Sequence, residues 1–172
     1  MRLRGCAAPC YLRHIRFDLV RRLIIFFATG FYSGYAPIAP GTAGSLVGLI
    51  VIWLGFGPLW EHSHALCLTV FAIVFAISCW ISDQAEKIFD QHDSPKIVID
   101  EVLGMAATIF GNPLTFPYLM LGFLLFRVAD VIKPWPASLI DRRMRNGAGV
   151  MLDDLVAAIY ANIVLQVIVR VL

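Results

Sequence analysis

Two adjacent carboxylates, Asp100 and Glu101, interrupt the apolar run that extends from Ile97 to Phe110. At the centre of a membrane helix one unpaired Asp costs roughly 2.5–3.5 kcal/mol even on insertion scales, so two side by side need a partner. A cation is the obvious candidate. The rest of the chain makes the membrane setting real: of 172 residues 59% are hydrophobic and only 15% charged, with a mean hydropathy of +0.78. That balance lies outside the range of soluble globular domains and predicts an all-α, polytopic membrane bundle. A net charge of +2 is too small to imply a nucleic-acid partner.

The N-terminal segment carries Arg2, Arg4, Arg13, Arg16, Arg21 and Arg22 ahead of the apolar run Leu23–Phe27. It resembles the start of a signal peptide but lacks a small-residue cleavage site, so it is expected to stay in the mature chain. The expected organisation is a basic cytoplasmic tail over residues 1–22 and one membrane-embedded domain over 23–172. Cys6, Cys10, Cys67 and Cys79 form no C-x-x-C pair and read as reduced thiols; Cys6, Cys10 and His14 lack a fourth metal ligand nearby.

Leu23–Tyr35 is too short to span and reads as a re-entrant or interfacial helix. Two prolines then break the chain, and Thr42 is placed as the N-cap of a first span ending near Trp60. Gly41, Gly44, Ser45 and Gly48 lie nearly on one face of it. That spacing suits close helix packing, or alternatively an exposed helix start that receives a phosphate. Further spans are expected over His64–Ser82, from Lys96 to Gly111, over Phe116–Ile132 and over Val150–Leu172, about five in all.

The turns around Gly55–His62 and Gly111–Pro117 hold no Lys or Arg, whereas the tail and the Asp83–Lys96 and Lys133–Arg145 connections hold nearly all of them. The positive-inside rule places those three in the cytoplasm, with Arg170 the one misfit. This topology brings Thr42, Asp83/Glu86, Asp100/Glu101, Arg127/Asp130/Lys133 and Asp153/Asp154 to one side. Carboxylates from several helix ends suit a hard cation such as Mg²⁺, and Arg127 and Lys133 suit an anionic ligand. Together they read as phosphate chemistry, in which a metal polarises a phosphoryl oxygen and the bases offset developing charge. Arg127, Asp130 and Lys133, three apart, share a helical stripe, which taken alone serves equally as an anchoring charge network. Trp135 reads as an interfacial belt residue, His62 and His64 fall on the far side, and His92 is an acid or base candidate by location only.

Several stretches resemble the phosphatidylglycerophosphatase A family, in order from about Phe31 to Ala161. They are Pro40–Ser45, Ile99–Met105, Phe126-Arg127 through Asp130 to Lys133-Pro134-Trp135-Pro136, Asp141-Arg142, and Gly147–Asp154. The resemblance implies an all-helical, Mg²⁺-dependent lipid phosphatase of the inner membrane. Such an enzyme hydrolyses phosphatidylglycerophosphate to phosphatidylglycerol and inorganic phosphate at the cytoplasmic face. It also implies Asp100, Glu101, Asp130, Asp153 and Asp154 as metal ligands, with all but Asp153 also catalytic candidates, and Thr42, Arg127 and Lys133 on phosphate. The chain departs from the family pattern at Asn146-Gly147-Ala148-Gly149, one glycine pair short, and at Ala158, where Gly is frequent.

No Cys followed closely by Arg, no Asp-x-Asp-x-Thr and no His-rich lipid-phosphatase pattern competes, so direct attack by water on phosphorus is favoured over a covalent phosphoenzyme. The rival class is a cation transporter or channel, whose carboxylates would spread through the membrane depth. Another is an assembly partner that uses the charges to bind a second membrane protein. The CDP-alcohol phosphotransferase pattern is absent.

Overall fold

The computed structural model describes residues 7–56, 60, 62–144 and 146–171, whose regular elements are all helices, with no strand among them. Residues 7–22, read from the sequence as a tail, continue without a break into Leu23–Ala28 as helix α1 (Ala7–Ala28). Arg2, Arg4, Cys6 and Arg145 lie outside the described residues. The chain reverses after α1, where Gly30, Phe31 and Tyr32 take positive φ and Thr29 Oγ1 accepts from the Tyr32 amide. A short 3₁₀ turn, Ser33–Tyr35, follows. A Cβ on Gly34 would collide with the Lys96 carbonyl, so only glycine lets this turn lie against the approach to the next buried helix.

Helix α2 (Pro40–Val51) begins two residues before the expected Thr42 cap. Ala39 takes a left-handed conformation and Pro40 fills the first helical position, where its missing N–H is one of the amides a helix start leaves unpaired anyway. Thr42 therefore sits inside the first turn, half-buried. A π-helical turn, Ile52–Phe56, extends α2. Helix α3 (His64–Phe89) is capped by Ser63, whose Oγ accepts from the Leu66 amide at 3.3 Å.

Helix α4 (Ile99–Ile109) is the axis of the molecule: nine of its 11 residues are buried, and it packs on α2, on helix α5 (Phe116–Ile132) and on helix α7 (Gly147–Val171). The short helix α6 (Ala137–Arg143) links α5 to α7. Close contact comes from small residues opposite large ones. A Cβ on Gly44 would stand 2.7 Å from Val98 Cβ, and one on Gly48 would stand 2.9 Å from Met105 Cβ. Gly104 receives the Phe126 ring, and Gly122 receives Ile109. The packing reading of the Gly44–Gly48 face is thus what α2 does against α4.

The far end of α4 leaves carbonyls that only side chains can satisfy. Asn162 Nδ2 of α7 donates to the Thr108 and Phe110 carbonyls, and Asn112 Nδ2 donates to the same two. Helices α3 and α7 are long and apolar enough to cross a membrane. At 1.5 Å per residue α4 covers only about 16 Å. Gly44→Ala is expected to destabilise the protein by about 1–3 kcal/mol, because the Val98 contact cannot relax without moving α4. Gly55→Ala, with nothing within 4 Å, should leave the thermal midpoint in detergent unchanged.

Candidate active site

The start of α4 explains why two carboxylates are tolerated there. Val98 precedes the helix without a side-chain cap, and its amide is taken by the Ala28 carbonyl at 2.9 Å. Asp100 Oδ1 accepts from the Glu101 amide at 3.1 Å, so a first-turn carboxylate serves the unpaired amides and meets the positive end of the helix dipole. Asn146 does the same for α7, its Oδ1 accepting from the Gly149 amide at 2.9 Å. Helix α7 thus starts at Gly147, earlier than Val150, and this sets Asp154 in its second turn.

Asp100, Glu101 and Asp154 each present a carboxylate oxygen, all within 4.8 Å of one another. Asp100 and Asp154 are 7% and 5% exposed, and Glu101 Oε2 is buried without a hydrogen-bond partner. Asp130, carried by α5, pairs with Arg127 at 2.8 Å. That pair is close but poorly aligned, leaving Arg127 Nη1 without a true hydrogen bond. A Cβ on Gly41 would collide with Glu101 Oε1 and stand 3.3 Å from both terminal nitrogens of Arg127. The first turn of α2, with its unpaired Gly41 and Thr42 amides, is therefore pressed against the carboxylate and the guanidinium.

Lys133 departs from the stripe its spacing predicts. Helix α5 ends at Ile132, and Lys133 takes a left-handed backbone (φ 45°) that turns its side chain to Asp153 at 2.5 Å and to Asp141 at 2.9 Å. Burial opposes the ammonium charge, but the hydrogen bonds it donates to Asp153 and Asp141, and the nearness of those carboxylates, prevail and hold its pKa above the ordinary lysine range. Asp153 is thereby directed at Lys133 and is not one of the three clustered acids. Successive helical residues point about 100° apart, so Asp153 and Asp154 face different neighbours.

The remaining charged residues stay apart from the cluster. Asp83 pairs with Lys87, and Glu86 Oε1 closes the end of α3 by accepting from the Asp93 amide at 2.9 Å and meeting His92 Nδ1 at 2.7 Å. His64 meets Trp60 at a tilt and Phe110 edge-on at the opposite end of α4. Trp135 is exposed, and Cys67 and Cys79 are free thiols. Sequence reading missed Gly41 as a contact of Glu101 and Arg127, and missed Asp141 as a partner of Lys133. The Pro-Gly-Thr order and a lone acid beside Arg142 and Arg143 were the available signals.

Among the described residues no ion pair reaches Asp100, Glu101 or Asp154, since Arg127 pairs with Asp130 and Lys133 with Asp141 and Asp153. Two buried acids and a half-buried one with an orphaned oxygen fit a hard cation, which takes oxygen ligands. The class these features fit is a phosphoric monoester hydrolase built on apolar helices. The family model for phosphatidylglycerophosphatase A matches residues 26–169. The chain belongs to that family. It is 37% identical over 142 residues to phosphatidylglycerophosphatase A of Haemophilus influenzae, covering 82% of this chain and 85% of the relative. The enzyme of that name from Escherichia coli is 35% identical over 137 residues, covering 77% and 75%. A Bacteroides thetaiotaomicron relative with the provisional name phosphatidylinositol-3-phosphatase is 33% identical over 159 residues, covering 84% and 92%. No solved structure matches the chain.

Gly41→Ala should lower phosphatase turnover about tenfold or more, because it pushes Glu101 and Arg127 apart. Helix content by circular dichroism should stay at the wild-type level. Equal losses of turnover and helix content would contradict this account.

Proposed function

We propose that the chain hydrolyses phosphatidylglycerophosphate to phosphatidylglycerol and inorganic phosphate with Mg²⁺, as a step of glycerophospholipid biosynthesis. The observation that carries the reading is the carboxylate trio Asp100, Glu101 and Asp154, which no ion pair reaches among the described residues and in which Glu101 Oε2 is buried without a partner. Asp100, Glu101 and Asp154 would hold Mg²⁺, with Asp130 and Asp153 at their flanks. The ion would supply the Lewis acidity that polarises a phosphoryl oxygen. Arg127, Lys133 and the Thr42 helix start would bind the phosphate and offset the charge that builds on it. Asp100, Glu101, Asp130 and Asp154 are the catalytic candidates, one of them accepting the proton of a water that attacks phosphorus directly.

The membrane arrangement belongs to the same proposal. About five segments are set in the inner membrane, α4 with its flanking residues from Lys96 to Gly111 among them, Leu23–Tyr35 is a re-entrant or interfacial element, residues 1–22 lie on the cytoplasmic side, and the site opens at the cytoplasmic boundary. A transporter or channel is less well supported. The acids gather at one end of α4, while Trp60, His64, Phe110 and Asn162 occupy the other. The head group is chosen by contacts beyond the phosphate monoester, which phosphatidylglycerophosphate shares with phosphatidic acid and phosphatidylinositol 3-phosphate.

Phosphate release from these three lipids in detergent micelles tests the reading. Phosphatidylglycerophosphate should be hydrolysed fastest and only with Mg²⁺, and Asp100→Asn and Asp154→Asn should each lose about a hundredfold or more of the rate. Full activity in both variants, or indifference to a chelator, would sink it.

A further inference from the structure

Lys133 carries two carboxylates of unequal standing. Asp153 lies on α7 with its side chain only 4% exposed, and its second oxygen, Oδ1, is buried without a partner. Asp141 lies on α6 with its side chain 42% exposed. An ammonium between two carboxylates is a centre of net charge −1, and a phosphate approaching it is repelled. Its third N–H donor remains available, but a free donor does not remove that repulsion. For Lys133 to serve a phosphate, one acid has to yield. Releasing Asp153 would leave a buried charge with neither oxygen satisfied. Releasing Asp141 returns an exposed carboxylate to water, at little cost.

The geometry points to Asp141 as a displaceable stand-in for phosphate: it occupies Lys133 while the site is empty, yields to the substrate's phosphate, and returns to expel the inorganic phosphate product. Asp141 is thus a positioning residue that acts through Lys133. This rests on the phosphate role proposed for Lys133. A carboxylate competing for the cation weakens binding of both substrate and product, so its loss should tighten them. A purely structural pair would do the opposite.

The test is competitive inhibition by inorganic phosphate, measured during phosphatidylglycerophosphate hydrolysis in micelles, for wild type, Asp141→Asn, Asp141→Ser, Asp141→Glu and Lys133→Met. Both Asp141→Asn and Asp141→Ser should lower the inhibition constant for phosphate and the KM about three- to tenfold. Turnover should fall where product release limits it. Asp141→Glu should return all three toward wild type, and Lys133→Met should raise the inhibition constant. An inhibition constant raised by Lys133→Met but unmoved or raised by both neutral Asp141 variants overturns the inference and leaves the function intact. A constant unmoved by Lys133→Met removes the phosphate role of Lys133, and this inference with it. No hydrolysis by the wild type sinks the function itself.

Discussion

Three clustered carboxylates, two buried and one half-buried, which no ion pair reaches among the described residues, are the constraint from which the rest of the architecture follows. Asp100 and Glu101 come from α4 and Asp154 from α7, and the packing of these two helices brings them together. Like charges this close repel one another and oppose the compact state that holds them. The bases that would offset them are engaged elsewhere, Arg127 with Asp130 and Lys133 with Asp141 and Asp153. The three oxygens are close enough together that the group could hold a metal ion, which would offset that repulsion.

Such a cluster has to be held rigidly, and glycine contacts do much of that. Gly44 and Gly48 let α2 lie on α4, Gly104 lets Phe126 of α5 in, and Gly147 brings the start of α7 against the Asp83 backbone. Gly41 belongs to the same series with a different neighbour, since it admits Glu101 and Arg127 to the first turn of α2. The other end of α4 is tied down by Asn162 and Asn112. A helix of 11 residues, too short to cross a bilayer alone, is thereby fixed at both ends and presents its acids in one orientation.

Much of this was legible in the sequence. Charges in an apolar run advertise their cost, so Asp100-Glu101 was conspicuous, and α5 runs from Phe116 to Ile132 as hydropathy predicts. Helix starts were harder, because local chemistry competes: Pro40 at the first helical position displaced Thr42 as cap, and Asn146 captured the start of α7 before Val150. Spacing arguments failed where the helix ended. The three-residue repeat of Arg127, Asp130 and Lys133 presumes a continuous helix, but Lys133 is the residue that leaves it, and this carries its ammonium to Asp141 and Asp153. The Asp153-Asp154 pair was read as a unit, although adjacent helical positions face different ways. Asp141 lies eight residues from Lys133 across a chain reversal, and no periodicity links the two.

The family accounts for the phosphatase activity, and the structure sets the charged groups in a definite order: acids at the junction of α4 and α7, the Arg127 guanidinium and the start of α2 beside Glu101, and Lys133 between Asp141 and Asp153. The central claim is that the trio is a divalent-cation site. Crystals of the protein soaked in Mn²⁺ and measured at the manganese absorption edge test it directly. The account predicts an anomalous peak among Asp100, Glu101 and Asp154 that disappears in Asp154→Asn. A peak elsewhere with none among these three, or one that survives the substitution unchanged, would contradict it.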